Sequence, residues 1–239
     1  MARTPAGAGR TASVTPRAAE ALTLDVPGAG PVSAMLRRPA RAHALLVLAH
    51  GAGAGMRHPF MEAVSAGLAR CGVATLRFQF PYMEAGRRRP DPAPVAARAV
   101  QAAVAAARRR ARGVPVFAGG KSFGGRMTST AAAGGLEGAA GLVLLGFPLH
   151  SADRVDRARA RHLFDVRLPM LFVQGSRDRM ADLSAMAAVV EELGSGASLH
   201  VVEQGDHGFA VPRRSGRDPR DVLEEVCDVV AQWVRLRRV

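Results

Sequence analysis

Short hydrophobic runs recur along this chain, and the clearest of them contains no polar position. Residues 44–49 are all apolar, as in a β-strand that is covered on both faces. Further strands are predicted wherever a similar run recurs, at 73–78, 114–118, 142–145, 170–174 and 199–202. Nearer the start, residues 21–26 and 32–37 flank the turn sequence Pro27-Gly28-Ala29-Gly30, which predicts an antiparallel hairpin.

Segments of helical composition lie between these strands. We predict helices over 59–70, 94–112, 122–133 and 182–193. Gly113 and Gly194 follow two of them and are typical residues for a helix end. The proline- and arginine-rich stretch 81–94 predicts a long loop instead.

The last helix has the clearest signals at its start. Asp218 is suited to cap it, and Pro219 to occupy its first position. Its apolar face is predicted from helical spacing alone, and it consists of Val222, Val226, Val229 and Trp233.

Strands and helices alternate after the hairpin, which predicts an α/β protein. We expect a single domain, a doubly wound and mostly parallel sheet with an N-terminal antiparallel hairpin. The domain is expected over residues 19–239 and a disordered tail over residues 1–18. The tail is rich in Arg and poor in acidic residues, so a transit peptide is the alternative. Only 24 residues separate the strands at 142–145 and 170–174, too few for a large helical lid.

Composition limits the class of protein and the compartment in which we expect it. Hydrophobic residues make up 48% of the chain, as in globular proteins, and no apolar run reaches the ~20 residues of a membrane span. Cys71 and Cys227 are the only cysteines, which indicates a reducing compartment, and we expect the cytoplasm. A monomer and a homodimer are both compatible with the sequence.

A net charge of +13 raises the possibility of nucleic-acid binding. Lys121 is the only lysine, so arginine carries nearly all the positive charge, which indicates a nucleotide-composition bias that acts on surface positions. Aromatic residues form only 5% of the chain and do not interleave with the arginines, which argues against a base-stacking surface. We therefore expect a solvated basic face and a small-molecule substrate.

The candidate chemistry is found at the carboxyl ends of the predicted strands, where parallel sheets gather their active sites. Ser122 lies in Gly120-Lys121-Ser122-Phe123-Gly124, a pattern that is weak alone because serine and glycine are common here. Asp178 follows the strand at 170–174, and His207 follows the strand at 199–202. The order serine, aspartate, histidine along the chain is one in which serine hydrolases supply their nucleophile, acid and base.

Each of these residues also has a structural interpretation. Ser122 and Asp178 could each cap a following helix, although Asp182 is better placed for the second cap. Asp206 is a rival to Asp178 as the acid that orients His207. His50 lies in a glycine-rich loop, where we expect it to shape the turn by hydrogen bonding.

An oxyanion hole requires two backbone N–H groups beside the reacting carbonyl. Phe123 is the predicted source of one, and Ala52 of the other, with Gly53 as the next choice. We expect Tyr82 and Arg126 to contact the substrate. Together with Arg87, Arg88 and Arg89, Arg126 would favour an anionic one. Neither a metal nor a cofactor is expected.

Three segments resemble a bacterial branch of the α/β-hydrolases. The resemblance covers nearly all of residues 20–238 and is carried by 50–61, 80–84 and 119–127, which include His50-Gly51-Ala52-Gly53 and Gly120-Lys121-Ser122-Phe123-Gly124. This branch is similar to dienelactone hydrolases and to the KANSL/testis-expressed hydrolase-like proteins. It implies an α/β-hydrolase fold with Ser122, Asp178 and His207 as the catalytic triad. Dienelactone hydrolases proper use a cysteine nucleophile, so serine argues against that particular activity.

The sequence therefore predicts a serine hydrolase that forms an acyl-enzyme. Its expected substrate is small and ester-like, a carboxylic ester, a thioester or a lactone. The alternative is a non-catalytic binding or scaffold protein on the same fold, since some eukaryotic relatives of this branch act as complex subunits.

Overall fold

A computed structural model describes residues 18–151 and 157–237, so the predicted tail at 1–18 lies almost wholly outside the described residues. Within them, one eight-stranded sheet has the strand order β1-β2-β4-β3-β5-β6-β7-β8. The strands are β1 (Glu20–Val26), β2 (Gly30–Arg37), β3 (Ala44–Ala49), β4 (Val73–Phe78), β5 (Val116–Lys121), β6 (Leu142–Leu145), β7 (Met170–Gly175) and β8 (Ala197–Val202). β1 and β2 run antiparallel, and β3 to β8 run parallel to one another.

In the described part of the chain, six α-helices cover the two faces of the sheet. They are α1 (Pro59–Arg70), α2 (Pro81–Glu84), α3 (Ala93–Arg110), α4 (Phe123–Ala133), α5 (Leu183–Leu193) and α6 (Pro219–Arg235). Short 3-10 helices lie at Ala158–Asp165, Gly194–Gly196 and Arg213–Ser215. α1 and α6 pack on one face, whereas α3, α4 and α5 pack on the other. The expected doubly wound, single-domain α/β fold with an N-terminal hairpin is confirmed.

Burial explains why the strands have different sequence patterns. Every residue of β3 is buried, because helices cover both faces of the central sheet. In β1 and β2 burial alternates, so only one face of the hairpin contributes to the core. Gly28 and Gly30 have φ angles of 72° and 81° in the connecting turn, a backbone conformation that favours glycine.

Several predicted boundaries differ from the structure. β5 covers 116–121 instead of 114–118, because the strand continues through two glycines that suggested a turn. α3 ends at Arg110, and Arg112 has a left-handed φ of 53°. A short helix, α2, occupies the start of the predicted loop at 81–94. One helical turn is too short to show a periodic pattern.

The buried face of α6 includes Val222, Val226 and Trp233, as predicted, and is wider than the predicted stripe. Val229 is only partly buried, whereas Val230 and Val234 are fully covered. The helix packs against two partners: Cys227 faces α1 beside Gly67, and Trp233 packs on Phe117 of β5. Two contact surfaces give a wider buried face than a single stripe.

The segment between β6 and β7 is short, as expected. Its described part contains one 3-10 helix, at Ala158–Asp165, and no large lid. The described residues include no helix long and apolar enough to cross a bilayer.

The β5–α4 connection brings main-chain atoms unusually close together. A Cβ atom added to Gly120 would lie 2.4 Å from the Ala49 carbonyl oxygen, and one added to Gly124 would lie equally close to it. Gly124 would also come within 2.6 Å of the His50 carbonyl oxygen. These neighbours are backbone atoms of β3 and its loop, so they have little freedom to move. Glycine is therefore required on both sides of the turn.

We predict that Gly124→Ala destabilises the fold by about 2–3 kcal/mol, because the new methyl group overlaps the end of β3. Gly196→Ala is the matched control, since a Cβ there meets no atom within 4 Å. The control should change the free energy of unfolding by less than about 1 kcal/mol. Denaturant unfolding of both variants measures the difference, and equal midpoints would contradict the close-approach argument.

Candidate active site

Ser122 stands between β5 and α4 in a strained backbone conformation. Its φ and ψ angles are 50° and −113°, which a residue with a Cβ adopts only at a cost of about 1–3 kcal/mol. The Ser122 N–H donates to the Leu145 carbonyl (2.9 Å), and its own carbonyl accepts from Arg126 N–H (3.0 Å). Its side chain makes no capping hydrogen bond to α4, so the capping interpretation does not apply. The turn thus leaves the hydroxyl available to other partners.

The structure brings Ser122, His207 and Asp178 together in one hydrogen-bonded chain. His207 Nε2 lies 2.9 Å from Ser122 Oγ, and His207 Nδ1 lies 2.7 Å from Asp178 Oδ2. A carboxylate oxygen accepts hydrogen bonds, so Nδ1–H of His207 donates to Asp178 and Nε2 is free to accept the proton of the serine hydroxyl. This is the arrangement in which an imidazole removes a hydroxyl proton.

The Asp178 carboxylate is buried and held from two further sides. Met180 N–H donates to Oδ1 (2.7 Å), and the Gln174 side-chain amide donates to Oδ2. Residues other than His207 therefore hold the Asp178 carboxylate in the position from which it orients the imidazole. Asp182 caps α5 through Ala185 N–H, as the sequence predicted, so Asp178 does not serve as that cap. Asp206 accepts hydrogen bonds from its own loop, as described below.

The loop after β3 lies beside the serine turn. A Cβ on Gly51 would lie 3.7 Å from the Lys121 carbonyl oxygen and 4.0 Å from Ser122 Cβ. The N–H groups of Ala52 and Phe123 make no hydrogen bond within the described part of the chain. The first N–H of a helix has no intrahelical partner, which accounts for Phe123. Both groups are available as donors.

Gly53 and Tyr82 take different roles from those predicted. Gly53 N–H donates to the Tyr82 hydroxyl (3.0 Å), so this N–H is already occupied and is not a free oxyanion donor. Tyr82 is fully buried, so it supports the loop from behind instead of facing a substrate. Its own N–H donates to the buried carboxylate of Asp91 (2.8 Å), which also pairs with Arg87 (2.7 Å). A single sequence carries no signal for this Tyr82–Gly53 contact.

His50 supports the same loop, as its structural interpretation predicted. Its Nδ1–H donates to the Gly51 carbonyl (2.8 Å), and its Nε2 accepts from Phe80 N–H (3.1 Å). The ring is completely buried, and burial lowers the pKa of His50 to about 4. His50 is therefore neutral over the physiological range, and it links β3 to the segment after β4.

Arg126 lies one helical turn after Ser122 and is half-buried. Among the residues that the structure describes, its guanidinium has no hydrogen bond and no ion pair. Burial lowers the pKa of Arg126, and the neighbouring charge of Arg159 lowers it further. Within 18–151 and 157–237, Arg126 thus lies near a second cation and has no acidic partner.

Two residues near the triad were not anticipated from the sequence. Gln174 holds Asp178, and the only signal was a polar residue at the end of an otherwise apolar strand. Lys121 is buried beside the triad, and its position inside the serine motif was the available signal. Within 18–151 and 157–237 no cluster of three or more His, Cys, Asp or Glu side chains could hold a metal ion.

Comparisons with known proteins agree with this architecture. A family model described as an alpha/beta hydrolase domain matches residues 42–235. A dienelactone hydrolase from Anabaena variabilis is similar at 21% identity and a TM-score of 0.73, over 94% of this chain and 99% of that one. An α/β serine hydrolase without lid from Xanthomonas campestris is 24% identical, with a TM-score of 0.72, over 92% of this chain and 97% of that one.

The protein Est1E from Butyrivibrio proteoclasticus has the same fold at 16% identity and a TM-score of 0.66. The similarity extends over 90% of this chain and 99% of that one. These structural likenesses show the fold, and the family model spans most of the chain. The chain therefore belongs to the α/β-hydrolase family.

Proposed function

We propose that this protein is a serine hydrolase that cleaves small ester-like substrates through an acyl-enzyme. The observation that carries the proposal is the hydrogen-bonded chain from Ser122 Oγ through His207 to the buried carboxylate of Asp178. A serine hydroxyl is a weak nucleophile until an adjacent base removes its proton. Here the base is in contact and its orientation is fixed by the acid.

The proposed reaction has two halves. Ser122 Oγ attacks the carbonyl carbon while its proton moves to His207 Nε2, and the carbonyl oxygen becomes an oxyanion that Ala52 and Phe123 N–H groups stabilise. His207 then gives that proton to the leaving oxygen or sulfur, and the acyl group remains on Ser122. In the second half, His207 accepts a proton from water, the water oxygen attacks the acyl carbon, and Ser122 regains its proton.

The expected substrate class follows from the shape of the site. The described part of the segment between β6 and β7 forms one 3-10 helix and no large lid that could cover a long acyl chain. Small carboxylic esters, thioesters and lactones all present a carbonyl that this machinery can attack. Solved structures with the same fold include a dienelactone hydrolase and esterases, which supports this class.

Ser122→Ala should abolish both p-nitrophenyl acetate hydrolysis and labelling by a phosphonate probe, because both need the Oγ nucleophile. We expect a loss of at least about 10³-fold in kcat. Ser184→Ala is the matched control, since Ser184 is exposed at the start of α5 and should react as the wild type does. Intact-mass analysis of the labelled protein locates the adduct. A folded wild-type protein that neither labels nor turns over would favour the scaffold alternative.

Tyr82→Phe tests the support of the oxyanion loop. The substitution leaves Gly53 N–H without its acceptor, so the Ala52 donor beside it becomes less well positioned. We expect kcat to fall about tenfold with little change in KM, since the oxyanion forms only in the transition state. Steady-state kinetics at a fixed pH measures this split. An unchanged kcat would show that the Tyr82 hydroxyl does not help to position the oxyanion donors.

We further propose that Arg126 contacts an anionic group of the substrate. Its guanidinium is half-buried one helical turn from Ser122 and lacks an acidic partner among the described residues. A carboxylate on the acyl chain would satisfy it with a charge-assisted hydrogen bond.

The test compares two p-nitrophenyl esters of equal acyl length, the hexanoate and the adipate monoester, at low salt. The wild type should prefer the adipate by about tenfold in kcat/KM. Arg126→Gln should remove this preference and leave hexanoate hydrolysis within about twofold. Equal kcat/KM values for both esters in the wild type would rule out the anion contact.

Other features remain predictions. Membership of the narrower KANSL/testis-expressed branch rests on the motifs alone. A cytoplasmic location is supported by Cys71 and Cys227, which are both free thiols. Use of a small-molecule substrate, with no nucleic acid and no metal or cofactor, is part of the proposal, and the monomer and the homodimer both remain open.

A further inference from the structure

Lys121 is the last residue of β5, immediately before Ser122, and the only lysine in the chain. Its exposed fraction is 9%, and its ammonium group makes no hydrogen bond with any described residue. The reaction proposed above assigns it no role. A buried cation beside the triad without a hydrogen-bond acceptor therefore needs a physical explanation.

The ammonium of Lys121 lies beneath the loop that carries His207. Nζ is 5.5 Å from the centroid of the Phe209 ring. A Cβ atom built on Gly146 would lie 2.6 Å from Nζ and 3.2 Å from the His207 carbonyl oxygen, so the amine and the His207 main chain both border the space beside Gly146. Lys121 thus packs against the loop that carries His207, whereas Ser122 faces the His207 imidazole.

Two carboxylates act on this ammonium from different loops. Burial lowers the pKa of Lys121 to about 8, and the negative charges of Asp178 and Asp206 oppose that effect. Asp178 is the acid that contacts His207, and Asp206 directly precedes it. The positive charge is therefore balanced through space by the residues that orient the base.

Asp206 organises the His207 loop. Its Oδ1 accepts from Gly208 N–H (2.7 Å) and Ala210 N–H (2.9 Å), and its own N–H donates to the Ala210 carbonyl (3.0 Å). Phe209, between them, has a left-handed φ of 64° and stacks on Phe60 at 5.8 Å. The loop is wrapped around the Asp206 carboxylate, directly above Lys121.

Energetics argue that the charge of Lys121, and not its volume, matters here. Burying an ammonium without a hydrogen-bond acceptor costs free energy, whereas a methionine of similar length would fill the same space without that cost. A residue that only filled space would gain nothing from a charge. The groups that a positive charge on Lys121 stabilises are the carboxylates of Asp178 and Asp206.

We propose that Lys121 is a positioning residue, whose buried ammonium attracts Asp178 and Asp206 and so fixes the loop that aims His207 at Ser122. The inference rests on the proposed function, because the aim of His207 affects catalysis only if His207 activates Ser122. Lys121 itself touches neither the substrate nor the reacting atoms.

The proposal predicts a pH dependence with a defined sign. The carboxylates that act on Lys121 are Asp178 and Asp206, and the titratable ring of His207 belongs to the same loop as Asp206; the neighbouring ends of β3 and β6 present Gly51 and Gly146. As the pH rises through about 8, Lys121 loses its charge and its attraction for both carboxylates. We expect the wild-type kcat to fall by about three- to tenfold through this range, with KM unchanged.

Lys121→Met removes the charge, and Lys121→Arg keeps it. The Met variant should have about a tenfold lower kcat at pH 7, an unchanged KM and no further fall near pH 8. The Arg variant should stay within about threefold of the wild type and keep its kcat above pH 8, because guanidinium remains charged. Amide hydrogen exchange of residues 206–210 should be faster in the Met variant only.

Stability should change in the opposite direction from activity. The pKa of Lys121 is about 8 in the fold against an ordinary value of 10.5, so its protonation opposes folding below pH 8. That penalty fades as the pH rises from 8 to 10.5. At pH 7 we expect Lys121→Met to unfold at a temperature higher by about 2–4 °C, and this difference should disappear near pH 10.5.

A double-mutant cycle provides a test that does not depend on the larger arginine fitting the site. Asp206→Asn removes the negative charge and keeps an oxygen that accepts from Gly208 and Ala210. If Lys121 acts through Asp206, the loss in the double variant with Lys121→Met is smaller than the product of the single losses. Losses that multiply would contradict the proposed coupling.

Two other results would overturn the proposal. One is a Met variant with wild-type kcat and wild-type exchange in residues 206–210. The other is a Met variant with a lower unfolding temperature and an equal activity loss at every pH, which indicates a packing role. If the wild type neither labels nor hydrolyses esters, the proposed function fails, and amide exchange in residues 206–210 still decides whether Lys121 fixes the loop.

Discussion

The site depends on one close approach of main chain to main chain, where the turn after β5 presses against the end of β3. Gly120 and Gly124 allow that approach, because any side chain there would overlap the Ala49 carbonyl. The turn forces Ser122 into a positive φ of 50°, which directs its hydroxyl away from α4 and toward His207. The same approach places the loop after β3 beside the serine, so a single packing constraint positions the proposed nucleophile and the proposed oxyanion donors.

Around this turn, buried polar groups hold the loops that the strands alone leave free. His50 ties the loop after β3 to Phe80, and the Tyr82 hydroxyl receives Gly53 N–H. Gln174 and Met180 hold Asp178 in the same way. The His50 and Tyr82 contacts join segments 30 and 29 residues apart, whereas Gln174 and Met180 hold Asp178 from within one short stretch of chain. Low-dielectric surroundings make such contacts strong, and they make the loss of one partner costly.

The fold was largely predictable because hydrophobic runs and helix caps are local signals. β3, α1 and β4 have the bounds that the sequence predicted, and Asp218 caps α6. Prediction was less accurate where a tertiary contact overrides the local pattern. β5 continues through Gly119 and Gly120 because β3 and β6 flank it, and α6 buries Val230 because α1 and the sheet both contact it.

The sequence by itself determined the order of the chemistry, with Ser122, Asp178 and His207 each following a strand whose carboxyl end lies at one edge of the sheet. Only the tertiary structure decided which residues contact these three and their loops. It placed Asp178 and not Asp206 on His207, assigned Gly53 N–H to Tyr82, and buried Lys121 beneath the His207 loop. The physical reason is range: strand and helix signals act over a few residues, whereas these partners are 29 to 85 residues apart and meet only when the sheet assembles.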